Sequence, residues 1–391
     1  MGSVVALAGL GVGLVACPPK DGANPKESGL TPVDSSRVEV DAGQRQKPIA
    51  GELIHIGAGA FRAGSLPGQL ARDPGLEPRN YEVELGPYQI DRLPFPNDPD
   101  RPPLTGITRR EAERLCAAKG QRLCTELEWE RACKGPTNDL FAGGAAWDPK
   151  CAQEPHACSS GFDVLAMGGA LREWTASNRR RPESAGPWQA IVRGAAATAE
   201  IGAHRCGFRR GLDPGTQATD LGARCCKGPP NAAVVPEPQL GPAFRMLSLG
   251  TDRLTRLLAL HPRTERLARD VRLFRDPDSA ETVIDRGPGD RKGFLFTGSP
   301  LVWCPDVGTE ILVVTGRSGA TSAWVLAYWV MARDEYQLAA SFIMSNEPGP
   351  VVLAYSDSIR PRLHFSSCWG CLGETGKVLF RKPESVVILQ P

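Results

Sequence analysis

The sequence has almost no net charge, because its 46 Lys and Arg residues nearly balance its 44 Asp and Glu residues, for a formal charge of +2. With so small a net charge, the protein has no strong electrostatic attraction to nucleic acid or to an anionic membrane. We therefore expect no nucleic-acid partner. The only long apolar run, residues 4–16, is too short to span a bilayer comfortably. No repeat of fixed period is present, which argues against a repeat architecture.

What the sequence does have is cysteine, with 12 among 391 residues, within an ordinary globular composition of 41% hydrophobic and 23% charged residues. The chain is long enough for two or three domains. The cysteines cluster within a few motifs, which favours disulfide pairing in an oxidising compartment. Free buried thiols are the alternative interpretation.

The N-terminal apolar run ends in Leu14-Val15-Ala16-Cys17, which has the form of a bacterial lipobox. We therefore predict a lipoprotein signal peptide over residues 1–17, with Cys17 diacylated after cleavage. A non-lipidated signal peptide or a buried apolar strand is the alternative, and Met1-Gly2-Ser3 lacks the usual positive charge. The predicted location is the cell envelope, periplasmic or outer-membrane side, with secretion as the alternative.

Composition predicts four further segments. Residues 18–48 are rich in Pro, Gly, Ser, Asp and Lys and predict a flexible tether. Residues 49–228 form the cysteine-rich region, and the Pro and Gly residues within 229–242 mark a linker. Residues 243–391 are predicted to be a separate, smaller α+β domain.

Local patterns predict the main elements. Thr108 with Glu111 and Thr125 with Glu128 form capping boxes that open two helices. Leucines from 254 onward predict a helical hairpin that is broken at His261-Pro262 and ends near Val271. Strands, antiparallel in the C-terminal region, are predicted at 81–85, 88–90, 310–315, 322–331, 337–344, 350–355, 362–365 and 377–380.

Several motifs of the middle region occur in a characteristic order. They are Phe61-Arg62-Ala63-Gly64-Ser65, Tyr88-Gln89-Ile90-Asp91-Arg92, Arg122-Leu123-Cys124-Thr125-Glu126-Leu127-Glu128-Trp129-Glu130, Glu173-Trp174-Thr175, Val192-Arg193-Gly194 and Leu221-Gly222-Ala223-Arg224-Cys225. This order resembles the formylglycine-generating (sulfatase-modifying factor) family. The resemblance implies an α+β, C-type-lectin-like domain with little regular secondary structure.

The resemblance also implies disulfides. It pairs Cys116 with Cys225 and Cys133 with Cys206. Cys124 stands where the family usually has Pro, and Cys226 follows Cys225, so these two are candidates for a third bridge. Cys151 and Cys158 are predicted to close a local loop.

Two departures from the family concern metals. Catalytic members use a cysteine pair a few residues after the Arg-Gly motif, because copper(I) needs soft thiolate ligands, whereas Ala195-Ala196-Ala197-Thr198-Ala199 follows here. Where the family supplies Asp and Asn oxygens to calcium, the chain has Ala166 and Ala170. We therefore predict no catalytic residues and neither cofactor.

Cys368-Trp369-Gly370-Cys371 is predicted to be a disulfide at a hairpin tip, with thiol redox or metal use as alternatives. Cys304 is left unpaired, and with His364, Cys368 and Cys371 it could complete a zinc set. Basic runs at 179–181, 204–205 and 209–210 could bind an anionic polymer but are more often solvated loops. Aromatic residues at 324, 328 and 329 predict sheet core.

Together these observations predict a lipid-anchored envelope protein whose family-like domain is a non-catalytic binding or scaffolding module. Its partner would be an envelope protein or polysaccharide. The protein itself would contact the membrane only through its lipid anchor. The alternatives are a formylglycine-generating oxidase acting on a sulfatase cysteine, and a thiol redox protein that uses Cys368 and Cys371.

Overall fold

The N-terminal region contains two capped helices, as its sequence predicts. Helix α1 covers Arg109–Ala118 and α2 covers Glu126–Lys134. Thr108 accepts from the Glu111 amide at 3.3 Å, and its own amide donates to Glu111 at 2.7 Å. Thr125 and Glu128 repeat this reciprocal pattern at the start of α2. Both predicted capping boxes are therefore present.

The computed structural model describes most of the chain beyond the predicted tether. The described residues are 47–179, 188–237, 244–247, 249–273, 294–297, 299–331, 335–345, 351–356, 362–366, 376–381 and 384–390. Within them, no helix has the length and apolar character needed to cross a bilayer. Cys17, Cys368 and Cys371 lie outside the described residues, so their assignments stay predictions.

Short strands surround α1 and α2. The first sheet has the order β1-β4-β10-β5, a second has the order β8-β7-β6-β9, and β2 pairs with β3. The strands are β1 Leu53–Ile56, β2 Gly59–Ala63, β3 Tyr81–Leu85, β4 Tyr88–Asp91, β5 Arg122–Leu123, β6 Arg172–Arg179, β7 Gln189–Gly194, β8 Arg209–Leu212, β9 Leu221–Ala223 and β10 Cys225–Lys227. A short helix α3 covers Lys150–Gln153, and 3-10 turns cover Pro155–Ala157 and Ile201–His204.

Two apolar cores hold this region, one around Trp129 of α2 and one around Trp174 of β6. Among the described residues, four disulfides reinforce them, and these are four of the five pairs that the sequence predicts. Two bridges end on adjacent residues of β10: Cys116–Cys225 attaches α1 there, and Cys124–Cys226 attaches the residue before the α2 cap. Cys133–Cys206 ties α2 to the segment before β8, and Cys151–Cys158 closes a local loop.

The C-terminal region packs two antiparallel sheets on each other. The first contains β11 Phe244–Met246, β12 Val271–Leu273, β14 Leu301–Asp306, β15 Thr309–Ser318, β16 Ser322–Val330 and β17 Tyr336–Ser345. The second contains β13 Phe294–Thr297, β18 Val352–Ser356, β19 Leu363–Ser366, β20 Gly376–Arg381 and β21 Ser385–Leu389. Trp324, Tyr328 and Trp329 are buried in the first sheet, as predicted.

The predicted helical hairpin is wrong in its second half. Helix α4 covers Thr251–Ala259, but the chain then makes only one 3-10 turn at Glu265–Ala268 before it enters β12. The Thr264 hydroxyl donates to the Leu258 carbonyl at 2.8 Å and fixes the reversal. Because Leu267 already reaches the core of Leu254 and Leu258 from this turn, a second helix is not needed to bury the apolar residues.

Among the described residues, three ion pairs join the N-terminal region to the sandwich, and in each pair the arginine belongs to the N-terminal region. Arg62 pairs with Glu335 at 2.8 Å, Arg79 pairs with Glu310 at 2.6 Å, and Arg72 pairs with Glu384. The last pair is almost fully buried, with side-chain exposures of 0% and 3%. Glu384 also accepts from the Gly68 amide at 2.9 Å, so it is held by two groups of the opposite region.

The two described members of the predicted zinc set lie on different faces of different sheets. Cys304 is in the core between the first sheet and α4. Leu363 and Phe365 point into the core between the two sheets, so strand alternation turns His364 to the other side of the second sheet. No group of three or more metal-binding side chains occurs among the described residues.

Candidate ligand-binding site

The segment after Arg193-Gly194 is a tight turn without any metal-binding side chain. Gly194 has φ +78°, and a Cβ there would lie 2.4 Å from the Leu171 carbonyl oxygen, so only glycine fits. Ala195 is buried, and the Ala199 amide then donates to the Ala196 carbonyl at 2.9 Å. The turn thus presents methyl groups and one threonine hydroxyl.

Behind this turn, Arg193 fixes the end of β7 to α2. Its guanidinium contacts Glu126 at 3.0 Å and Glu130 at 2.9 Å, and all three side chains are buried. Burial alone would raise the pKa of Glu130, but Lys134 and Arg193 outweigh burial and hold this pKa below its ordinary value. The motif arginine is therefore bound internally and is not presented to a ligand.

His204 joins two loops at this place. Its Nδ1 lies 2.7 Å from the Gly168 carbonyl oxygen, and its Nε2 lies 3.2 Å from that of Ala199. The ring is 2% exposed and stacks on Trp147, with centroids 4.0 Å apart and planes 10° from parallel. The imidazole therefore connects the turn after β7 to the loop that precedes β6.

A cavity of about 550 Å³ lies against that same loop. One wall is Ala166, Ala170 and Leu171, the second is the stretch 154–157, and the third comes from the loop between β4 and α1. The lining residues are Pro94, Pro103, Thr105, Glu154, Pro155, His156, Ala157, Ala166, Ala170 and Leu171. The volume is typical of small-molecule sites, and most of these side chains are aliphatic.

Backbone hydrogen bonds place the third wall. The Phe95 amide donates to the Ala223 carbonyl at 2.9 Å, and the Leu104 amide donates to the Phe95 carbonyl at 2.8 Å. Asn97, at φ +61°, accepts from the Leu93 amide at 3.0 Å and donates to the Glu52 carbonyl at 2.7 Å. This loop is therefore anchored to β9 and to the residue before β1, which keeps the cavity open on a rigid support.

Sequence comparison assigns most of this region to a family. Residues 89–229 match the family model described as the sulfatase-modifying factor enzyme 1-like domain. Residues 89–229 are therefore similar to this domain family. No curated protein matches the chain.

Several solved structures are similar to part of this chain. PvdO from Pseudomonas aeruginosa is 17% identical, with 46% of this chain and 99% of that chain covered and a TM-score of 0.38. CarF is 15% identical, with 45% and 97% covered and a TM-score of 0.36. Variable protein 1 of Treponema denticola is 16% identical, with 45% and 95% covered and a TM-score of 0.36.

The motif residues of the sulfatase-modifying factor-like domain form its internal scaffold. The Trp129 indole donates to Glu173 at 2.8 Å, and Arg224 donates to both oxygens of Glu173 at 3.1 Å. Arg224 also donates to the carbonyl oxygens of Asp91, Arg92 and Leu165, each at 2.9 Å. The side chains of Trp129, Glu173 and Arg224 are therefore engaged in contacts within the domain.

Neither metal of the family fits the residues present. A thiolate pair for copper is replaced by the turn of alanines after Gly194. At the calcium position, Ala166 and Ala170 supply methyl groups in place of carboxylate and amide oxygens. Two carbonyl oxygens of this loop are already engaged, Leu165 with Arg224 and Gly168 with His204.

Arg179, Arg205 and Arg209 are buried, which corrects the sequence interpretation of a solvated basic surface for these three residues, whereas Arg210 is exposed. Arg205 is buried and binds both oxygens of Glu77 at 2.8 and 2.9 Å. Arg209 binds Glu126 at 2.8 Å, and Arg179 pairs with Glu237 at 3.2 Å. Each of these three arginines therefore has a carboxylate partner within the domain.

The cavity and the roles of His204 and Trp147 were not foreseen from the sequence. His204 was noted only as part of a basic run, and its carbonyl partners are 36 and 5 residues away in the chain. One signal was available, since Ala166 and Ala170 replace polar family residues and both line the cavity. Two such replacements in one loop indicate that its surface has changed from polar to apolar.

Proposed function

We propose that this is an exported, lipid-anchored envelope protein whose sulfatase-modifying factor-like domain binds a ligand without catalysing a reaction. The observation that carries the proposal is the turn from Ala195 to Ala199, which offers no thiolate where the family needs a cysteine pair. Cys206 cannot substitute for the missing thiolate, because it is bridged to Cys133.

The cavity beside Ala170 is the binding site in this proposal, and its ligand is an uncharged aliphatic group. The walls carry only two titratable side chains, Glu154 and His156, both exposed. A charged ligand would lose hydration without gaining a buried counter-charge, whereas each CH₂ group buried there contributes about 0.8 kcal/mol. Such a group could belong to a small molecule or to a side chain of an envelope partner.

The binding role is tested with a neutral fluorescent probe, N-phenyl-1-naphthylamine, titrated into the full-length protein. We expect saturable binding that Ala170→Trp abolishes, because the indole would fill the cavity. Ala60→Trp is the matched control, since Ala60 is exposed on β2 and does not line the cavity. Equal binding by both variants would contradict the assignment of the site.

The absence of catalysis is tested separately. Purified protein is titrated with copper(I) and then incubated with oxygen and a sulfatase-motif peptide, beside a catalytic family member as positive control. We expect no stoichiometric copper binding at the domain and no aldehyde product. Formation of formylglycine would refute the proposal outright.

Anchoring is tested by mass spectrometry of the mature protein. We expect an N-terminal peptide that begins at Cys17 and carries acyl chains, and Cys17→Ser should release the protein from the membrane fraction. An unprocessed or unmodified N-terminus would remove the anchor from the proposal and leave the binding role to be judged by the probe.

A further inference from the structure

One wall of the cavity is a loop closed by a disulfide. Cys151 and Cys158 are 7 residues apart in sequence, and the cavity residues Glu154, Pro155, His156 and Ala157 all lie between them. The Glu154 amide donates to the carbonyl of Lys150, directly before the loop, and the Ala157 amide donates to the carbonyl of Glu154 within it. Because these hydrogen bonds are local, we infer that the disulfide determines the shape of this wall.

Both ends of the bridge also meet the opposite wall. The Cys158 carbonyl accepts from the Ala166 amide at 3.1 Å. At the other end, the Cys151 carbonyl oxygen lies so close to Gly169 that a Cβ there would be 2.2 Å away. Because residues 166 and 170 line the cavity, the bridge fixes the separation of the two walls as well as the shape of one.

This bridge differs from the other three in accessibility. Cys151 and Cys158 are 3% and 7% exposed, whereas each of the other six bridged cysteines is at most 1% exposed. Thiol–disulfide exchange requires a thiolate to reach a sulfur atom, so access favours attack at this bridge.

The bridge also differs in loop length. The other three bridges span 73, 102 and 109 residues, and the stabilisation from a crosslink grows with the logarithm of the loop it closes. The loop of 7 residues therefore contributes least to the stability of the whole domain. Its reduction should leave the fold intact and alter mainly the cavity.

We propose that the Cys151–Cys158 disulfide is a redox-sensitive tie that regulates ligand binding in the adjacent cavity. The reductant is a dithiol: one thiolate attacks a bridge sulfur and forms a mixed disulfide, and its second thiolate then displaces the protein thiolate. The protein gains two electrons and two protons as Cys151 and Cys158 become thiols, and the reductant is oxidised to its disulfide. The regulated site is the one in the proposed function, so the inference rests on it.

The first test is graded reduction of the full-length protein with dithiothreitol, followed by alkylation and peptide mass mapping. We expect Cys151 and Cys158 to be alkylated before any of the six cysteines at 116, 124, 133, 206, 225 and 226. Probe binding should weaken by about tenfold in the same step, the cost of re-ordering one or two side chains on binding. Earlier reduction of one of the long-range bridges would overturn the proposal.

The second test uses Cys151→Ser with Cys158→Ser, and the matched control is Cys116→Ser with Cys225→Ser, because neither of these two cysteines lines the cavity. Hydrogen–deuterium exchange should rise at 152–157 and 166–170 in the first variant only. Unchanged exchange there would refute the proposal, and so would wild-type probe affinity in that variant.

The exchange measurement needs no ligand and separates the two possible failures. If the wild-type protein binds no probe but hydrogen exchange rises in the variant, the disulfide does hold the cavity walls and the proposed binding function is wrong. If the probe binds equally with and without the disulfide, the binding function is supported and the regulatory role of the disulfide is wrong.

Discussion

Two disulfides end on adjacent residues of β10, and we expect their contributions to stability to be strongly coupled. Cys116 pairs with Cys225 and Cys124 with Cys226, across 109 and 102 residues. When Cys124–Cys226 is already formed, Cys116–Cys225 closes only a short loop. This loop runs along the chain from 116 to 124, crosses the existing disulfide to 226, and returns through the neighbouring residue 225. That path is about nine residues long, because the chain-entropy model counts the shortest closed loop.

The magnitudes follow from the same model. Because Cys133–Cys206 is also in place and shortens the closed path, the first of the two bridges closes about 36 residues and stabilises by about 3.8 kcal/mol. The second bridge then closes about nine residues and stabilises by about 2.6 kcal/mol. Removing either bridge alone should therefore cost about 2.6 kcal/mol, since the other still closes the long loop. Removing both should cost about 6 kcal/mol, which exceeds the sum of the single losses by about 1 kcal/mol.

The assay is equilibrium urea unfolding of the two paired Cys→Ala variants and of the quadruple variant, followed by hydrogen–deuterium exchange of α1 and α2. A matched control cycle combines loss of Cys116–Cys225 with loss of Cys151–Cys158, whose loop of 7 residues barely changes the long path. We expect additivity within about 0.3 kcal/mol in the control. Additivity in the β10 cycle as well would refute the shared-path reasoning.

Three further predictions concern single side chains. Arg72→Met should cost about 3–5 kcal/mol in urea unfolding because it leaves the buried Glu384 carboxylate unpaired, and adding Glu384→Leu should recover most of the loss. His204→Phe should keep the stack on Trp147 but raise hydrogen exchange in both loops that the imidazole contacts. Burial lowers the pKa of His364 to about 4, so stability should fall by up to about 3 kcal/mol as pH drops from about 6.5 to 4, and His364→Gln should remove this dependence.

Each of these predictions has a clear contrary result. No recovery in the double variant would show that the Arg72 effect comes from packing and not from the stranded carboxylate. Unchanged exchange in the His204 variant would show that the loops hold their shape without the imidazole. An identical acid profile for wild type and the His364 variant would assign the pH dependence to other groups.

Features set by neighbouring residues could be predicted from the sequence. The capping boxes at Thr108 and Thr125 need only residues three positions apart, so both were found with their partners. The strands of the sandwich followed from alternating apolar runs between turns. The bridges of Cys116 and Cys133 came from the family resemblance and not from spacing, because 12 cysteines allow very many pairings.

Features set by distant residues could not be predicted in this way. The cavity joins three segments that lie far apart in sequence, and no local pattern identifies Pro103 and Leu171 as neighbours. Arg205 looked like a surface cation, but its partner Glu77 is 128 residues away. The missing second helix after α4 is a related case, since Leu267 reaches the core from a single turn once the sheet beneath it has formed.

In all three ion pairs between the N-terminal region and the sandwich, the N-terminal region supplies the arginine and the sandwich supplies the glutamate. This arrangement restricts which sandwich could replace the present one in a hybrid protein. A foreign sandwich grafted onto this N-terminal region would need acids at all three positions, and one with a lysine in place of Glu384 would bring two cations together away from water. Recombination between relatives should therefore succeed when both halves are inherited together. Each region can therefore be combined only with a partner region that carries the matching charges.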